Sequence, residues 1–536
     1  LTNPLYPVKT SMSTFDAPLY DLVGVGFGPA NIALAGVLIE KWEDPSDAVP
    51  RKILFLEKQD AFRWHPGMLL PNTRMQISYL KDLATLRNPR SPITFLSYLH
   101  ETGRLLQFVN RGMSTPSRRE YADYLSWAAR YVQDHGTETL FSKDVVQLGD
   151  GADGSAHVHF RDTVTGEVSI VRTKNLVISP GGRSRIPAPL RALDDIPHVL
   201  HSSTYATAIG PILLRASSGM TSPLRIAVVG AGQSASEVLI DLYERLHAIP
   251  APGDGRHRVE MILRKGCIKP SDDTPFANEI FDPASTDVMF GLPSRHAREL
   301  VIGEYGSTNY GVTNPRTINA LYELLYAKNV EESIAARDGT PSAKPLIALC
   351  PYTYIISASA SGTCASPIAL TLHDVLGRSS PRTEMYDVVI CGTGYDRTAW
   401  IELLASGSLG TRFGLDRKVR AQTVELVPAL DEERVVTRAP ERSATPRSRS
   451  SSLSSGTVSD LAVSAEEQEV VRRLFVSRAY RLLPHDDALV PRVYLQGCLE
   501  RTHGLSDTLL SVMGPKAGEI VEDLMCTQPP GPYTYT

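Results

Sequence analysis

The sequence predicts an α/β fold of two Rossmann-like dinucleotide-binding domains, the second inserted into the first. Three observations carry this reading. A short apolar run meets a glycine turn in "YDLVGVGFGPANIALAGVLI", with Gly26 and Gly28 at the turn. The same happens in "RIAVVGAGQSASEVLIDLY", with Gly230 and Gly232. Each turn is followed by apolar residues at helical period, and strand-like and helix-like segments alternate around both units.

Such a turn lets backbone N–H groups at a helix N-terminus approach a pyrophosphate, whose charge the helix dipole favours. The charge that closes the next apolar run has opposite sign in the two units. The run "RKILFLEK" ends at Glu57, where a carboxylate accepts from ribose hydroxyls, so the first site reads as FAD or NAD. The run "HRVEMILRK" ends at Arg264, which can grip a 2′-phosphate bidentately, so the second reads as NADPH. A solvated charge at a strand end is the plainer reading of both. Asn31 stands where a third small residue usually lets the helix pack.

Along the chain, residues 1–15 read as a flexible tail and 16–221 as the first part of the FAD-binding domain, closing on "NLVISPGGRSRIP". Residues 222–385 form the NADPH-binding domain. The apolar strand in "YDVVICGTGYDRTAW" suggests that the first domain resumes there, over 386–536. Within that part, the Ser/Arg-rich stretch 439–465 lacks large apolar residues and reads as a disordered loop.

A net charge of −4, mixed along 536 residues, offers no nucleic-acid surface and no polybasic membrane patch. No apolar run is long enough to cross a bilayer. The six cysteines include no C-x-x-C pair, which argues against a metal site and a redox disulfide and suits reduced thiols in the cytoplasm.

Four loop-like segments are candidates for chemistry. "FRWHPGMLLPNTRMQISYLKDL", directly after Glu57, holds Trp64, His65, Gln76 and Lys81; it fits no regular period yet is too apolar to be disordered. The others are "KPSDDTPFANEIFDP", "GEYGSTNYGVTNP" and "QGCLERTHGLSDTLLSVMG". Ser506 or Asp507 would serve as a helix N-cap in the last, and turn chemistry would equally explain Asn278 and Asn309.

These blocks resemble the flavin-dependent N-hydroxylating monooxygenases, in particular the fungal L-ornithine N5-monooxygenases of siderophore biosynthesis. The similarity runs from Tyr20 to Leu524 and is carried by "GFGPAN", "WHPGMLLPNTRMQISYLKDL", "VVGAGQSASE", "DDTPFANEIFDP", "STNYGV", "CGTGYD" and "HGLSDTLLS". It implies FAD contacts at Gly26, Gly28, Glu57, Lys58, Trp64, His65, Gln76, His503, Gly504 and Leu505. It implies NADPH contacts at Ala231, Gly232, Gln233, Ser234, Arg264, Asn309, Tyr310 and Gly311. L-Ornithine would meet Lys81, Asn278, Glu279, Ile280, Phe281 and Ser506, with Asn309 the catalytic positioning residue at the nicotinamide.

The implied reaction is O2-dependent hydroxylation to N5-hydroxyornithine through a C4a-hydroperoxyflavin, with no metal. The flavin carries the difficult step, and the protein must deliver a neutral amine. An alkyl amine has a pKa of about 10.4, and lowering it by about 2 units costs about 2.7 kcal/mol, so no acidic side chain should face it closely. The resemblance also implies a homotetramer, and the scattered cysteines a cytoplasmic location. A lysine N6-monooxygenase, with a pocket one methylene longer, is the nearest alternative, since one methylene is worth only about 1–3 kcal/mol. An FAD/NADPH electron-transfer reductase is the alternative from another class.

Overall fold

The computed structural model describes residues 17–43, 49–218, 221–253, 255–339, 344–360, 367–417, 419, 423–430, 471–485 and 491–526. The expected tail 1–15 and the expected disordered loop 439–465 lie outside the described residues.

The first sheet has eight strands in the order Val424–Pro428, Arg472–Val476, Arg481–Leu483, Arg492–Leu495, Asn175–Ile178, Leu22–Val25, Ile53–Leu56 and Glu138–Leu140. Its last five strands are parallel. Leu22–Val25 and Ile53–Leu56 are buried at every position, as a strand covered on both faces must be. Helix Pro29–Lys41 follows the first turn and packs on helices Arg118–Asp134 and Met513–Met525.

The second sheet is wholly parallel, in the order Val199–His201, Val388–Cys391, Arg225–Val229, Arg258–Ile262 and Leu346–Cys350. This corrects two boundaries. Val388–Cys391, expected to return to the first sheet, lies between two strands of the second, with Val228 beside Ile390. Val199–His201, expected in the first domain, is the edge of that same sheet. An all-apolar strand suits any doubly covered sheet, so its pattern does not choose its neighbours. What holds it here is a close approach. A Cβ on Gly392 would lie 2.7 Å from that of Ala235, and one on Gly230 would lie 2.4 Å from the Gly392 carbonyl oxygen.

The chain therefore leaves the first sheet after Ile178 and rejoins it at Val424, with the second sheet in between. The outgoing and returning strands, Arg183–Ser184 and Tyr395–Asp396, pair antiparallel. Further contacts that join the halves include Arg118 to Glu237 at 2.6 Å and Gln76 to Gln233 at 3.1 Å. A mixed four-stranded sheet, in which Leu19–Tyr20 runs parallel to Val168–Thr173 and the other pairs are antiparallel, and an antiparallel sheet of three strands (Thr353–Ala360, Ile368–Asp374, Arg382–Tyr386) complete the architecture.

Candidate active site

At the first turn Gly26 has φ +86°, and a Cβ there would lie 2.6 Å from the Ser179 carbonyl oxygen. Only glycine tolerates both conditions. Gly28 is extended, caps helix Pro29–Lys41, and has nothing within 4 Å of a would-be Cβ. That open space at a positive helix end fits a pyrophosphate.

Glu57 is buried and accepts from the N–H groups of Phe27 (2.8 Å) and Gln59 (2.9 Å), so its carboxylate is pinned beside the turn. Its remaining lone pairs suit ribose hydroxyls. Asn31, larger than the small residue usual at its position, holds the turn together. Its amide donates to the Gly26 carbonyl at 2.6 Å, and its Oδ1 accepts from Gln496 at 3.1 Å. Gln496 Oε1 is buried without a partner among the described residues, an acceptor left for a donor outside the chain. The residues of this cleft fit FAD.

His65 sits in the left-handed region at φ 44°, between the rings of Trp64 and Tyr395. More than a third of its surface is accessible although protein surrounds it on most sides, as for a side chain lining a deep cleft. Desolvation, with the cations of Arg118 and Arg397 adding to it, pushes its pKa down to about 4. Lys58 is exposed beside this cleft.

The second turn repeats the design. Gly230 has φ +131°, and Gly232 caps helix Gln233–His247 next to Gly311, whose Cα lies 3.6 Å from a would-be Cβ on Gly232. Ala231 and Ser234 are half-buried. Arg264, at the end of strand Arg258–Ile262, is exposed, and its side chain bonds no described residue, as a waiting phosphate ligand should. Its neighbour Lys265 donates to the Gly311 carbonyl at 3.0 Å. Gln233 differs from expectation, because protein groups engage both ends of its amide. Its oxygen accepts from the Asn314 N–H (2.7 Å) and from Gln76, and its nitrogen donates to Glu237 (2.7 Å) and Thr317 (2.9 Å).

The other candidate segments converge. Lys81 holds its ammonium 5.5 Å from the centroid of the Phe281 ring. Segment Glu279–Phe281 packs on Leu505–Thr508, which carries Ser506. Helix Arg295–Asn309 packs on both Leu505–Thr508 and Glu500–His503. Tyr310 then donates to Glu500 at 2.7 Å. Burial raises the Glu500 carboxyl, and burial together with Glu500 pushes the Tyr310 phenol up to about 12. Desolvation lowers the Lys81 ammonium, against the attraction of Asp282. Asn278 spends its amide N–H groups on the carbonyls of Asp273 and Thr274, both at 3.1 Å, which leaves its oxygen to accept. The Ile280 carbonyl accepts from Ser285 at 2.9 Å.

Segment 503–507 departs from expectation in its details. His503 has both ring nitrogens engaged, by Thr502 (2.9 Å) and the Arg478 carbonyl (3.2 Å), and its ring stacks on Tyr480 at 4.4 Å. Desolvation pushes its pKa down to about 3, so it is a neutral, satisfied core side chain. Gly504 has φ +94°, and Leu505 is buried. Neither Ser506 nor Asp507 caps the following helix. Asp507 instead forms a buried ion pair with Lys516 and accepts from the Leu499 N–H at 2.7 Å.

Sequence reasoning passed over Tyr395 and Arg397. Tyr395 packs against His65 and Gly182, and Arg397 donates to the Gly497 carbonyl at 3.2 Å. Both lie in the quoted "CGTGYDRTAW", so proximity to the turn was the available signal. Among the described residues no helix is long and apolar enough to cross a membrane, and no cluster of three or more His, Cys, Asp and Glu could hold a metal.

The family model for L-lysine 6-monooxygenase/L-ornithine 5-monooxygenase matches residues 18–397. An L-ornithine N(5)-monooxygenase of Ceriporiopsis subvermispora (strain B) is 48% identical, over 95% of this chain and 98% of that protein. Among solved structures, the ornithine hydroxylase PvdA of Pseudomonas aeruginosa is 32% identical with a TM-score of 0.70, covering 95% of this chain and 99% of the other. The ornithine N-hydroxylase of Kutzneria sp. 744, solved with reduced FAD, NADP+ and L-ornithine, is 29% identical with a TM-score of 0.69, at the same coverage.

Proposed function

The chain belongs to the L-lysine 6-monooxygenase/L-ornithine 5-monooxygenase family, and from that premise we propose that it hydroxylates the side-chain amine of L-ornithine with FAD, NADPH and O2. The observation that carries this reading is the meeting of Lys81, Phe281 and the Ser506 segment, which are far apart in the chain. Bound FAD, reduced by NADPH, supplies the activation of dioxygen.

The chain's own residues bind, orient and control protons. The open turn at Gly28 receives the FAD pyrophosphate and Glu57 its ribose. Arg264 takes the 2′-phosphate of NADPH, and Asn309 orients the nicotinamide amide. Lys81 pairs with the substrate α-carboxylate, and the free oxygen of Asn278 accepts from its ammonium. Ser506 lies along the side chain.

The amine must be neutral to react, and the surroundings favour that form. Both carboxylates of segment 499–508 are already committed, Asp507 to Lys516 and Glu500 to Tyr310. With neither turned toward the amine, desolvation lowers its pKa.

Hydroxylated product and NADPH consumption, measured with ornithine, lysine and no amine, test the reading. Ornithine-dependent hydroxylamine formation is the expected result. A preference for lysine would correct the substrate, and NADPH oxidation without hydroxylated product from either amine would mean a reductase. Assembly as a homotetramer and a first step in hydroxamate siderophore synthesis, which follow from the family resemblance, and a cytoplasmic location, which suits the unpaired cysteines among the described residues, complete the proposal.

A further inference from the structure

We propose that a file of tyrosines and tryptophans drains oxidising equivalents from the flavin cleft to the protein surface. This rests on the reading that Trp64 borders bound FAD. Trp64 lies beside the cleft-lining His65, with ring centroids 5.1 Å apart, and 5.7 Å from Tyr121. The rings then continue to Tyr124 at 5.3 Å, Trp127 at 6.3 Å, Tyr131 at 6.1 Å and His135 at 3.9 Å. Tyr98 forms a parallel link, 5.7 Å from Tyr124 and 5.8 Å from Trp127.

Buried aromatic rings also pack cores, and Phe95 does so here amid the file. Three features distinguish the file from simple packing. Every member from Trp64 to Tyr131 is a residue that gives up one electron readily, where phenylalanine would fill the space as well. The file also has two open ends: the cleft at Trp64, and half-buried Tyr131 stacked on exposed His135, with Tyr121 and Tyr124 fully buried between.

The third feature is proton management. The Trp127 indole N–H donates to Glu101 at 2.9 Å, and the Tyr98 hydroxyl donates to Asp123. An oxidised indole or phenol is strongly acidic, so a carboxylate already hydrogen-bonded can take the proton and return it with the incoming electron. Tyr124 donates only to the Ile93 carbonyl, at 2.8 Å. Without such a base it passes the vacancy on and does not keep it.

The oxidant is an oxygen-centred radical, formed when dioxygen is reduced and no amine takes the oxygen atom. As superoxide it gains one electron from Trp64 and one proton from water and becomes the hydroperoxide anion, and the hydroxide left behind takes the proton that the thiol later releases. Electrons then move inward ring by ring from Tyr131. A thiol in solution restores Tyr131, losing one electron and one proton to become a thiyl radical. The rings end unchanged, and one electron and one proton have passed from thiol to oxygen radical.

The test uses the full-length, FAD-loaded protein under blue light, which makes bound flavin a one-electron oxidant, and follows aromatic radicals by transient absorption. The wild type should give a long-lived tyrosyl signal. The double variant W127F/Y98F keeps the rings and touches no site residue, so it should lose that signal while hydroxylating ornithine normally. Tyr131→Phe, at the half-buried outer end, guards against misfolding of the double variant and should shorten the tyrosyl lifetime, because the vacancy then stays on the buried Trp127 and Tyr98 and returns to the flavin. An unchanged tyrosyl lifetime in both variants overturns the proposal, as does a wild type that binds FAD and hydroxylates ornithine yet shows no aromatic radical. Failure to bind FAD or to hydroxylate ornithine would defeat the functional reading itself, and this proposal with it.

Discussion

Lys81 holds its ammonium over the Phe281 ring, Nζ 5.5 Å from the centroid, and no described carboxylate forms an ion pair with it. A half-buried cation that feels Asp282 only at a distance is costly unless a ligand supplies a direct partner. Lys81→Met should therefore raise the KM for ornithine by about tenfold or more, the worth of one charge-assisted bond, with NADPH-dependent flavin reduction intact. Steady-state kinetics combined with anaerobic flavin reduction would check this. An unchanged KM would remove Lys81 from the site.

Arg264 is the matching free cation of the second turn. Arg264→Ala should raise the KM for NADPH by about 10–100-fold and leave NADH nearly unaffected, because only the 2′-phosphate is lost. Equal losses for both nucleotides would place Arg264 elsewhere on the cofactor.

The two glycines of the first turn should respond differently. Gly26→Ala meets both a forbidden φ and the Ser179 carbonyl, so it should destabilise the fold. Gly28→Ala has room, so it should fold and yet purify depleted of FAD, because the methyl group fills the pyrophosphate's space. Thermal melts and the flavin-to-protein absorbance ratio separate the two.

Breaking the buried Asp507–Lys516 pair from one side leaves a naked charge. Asp507→Asn and Lys516→Met should each cost about 3–5 kcal/mol, whereas the double variant Asp507→Leu/Lys516→Met should regain much of it. Since Asp507 also anchors the Leu499 N–H, the double variant should keep a raised KM for ornithine despite its recovered stability. Denaturant titrations beside kinetics show both effects.

His503 supplies a pH dependence. Its pKa is about 3 in the folded protein against 6.5 normally. As pH falls below about 6.5 the unfolded chain binds the proton first, so stability declines down to the folded value, by at most about 1.4 kcal/mol per pH unit. His503→Phe should be less stable at pH 7.5, having lost its bonds to Thr502 and Arg478, but should show a shallower acid limb. Urea midpoints at several pH values decide. Parallel acid limbs would mean that His503 is charged in the native state.

Much of the site could be read along the chain because it is local. A glycine turn, and the charge at the end of the strand after it, belong to one strand–helix–strand unit. Backbone geometry there follows from residue type, as at Gly26 and Gly230, and Glu57 and Arg264 arrive at strand ends with little help from elsewhere. The blocks around Lys81, Asn278 and Ser506 stood out by composition, though nothing along the chain said that they meet.

Partner choice was decided only in three dimensions. Val388–Cys391 is apolar on both faces, a pattern that demands burial without naming neighbours, and the fit of Gly392 against Ala235 put it in the second sheet. His503 could be taken for a cofactor ligand until Thr502 and the Arg478 carbonyl occupied its nitrogens. Asn31 looked like a defect until Gln496, 465 positions later, bonded to it. The chain by itself determined which cofactors the two turns suit, because glycine conformation and strand-end charge are short-range properties. Packing between distant segments determined which polar groups are satisfied and which stay free for a ligand, because that depends on neighbours that no single stretch contains.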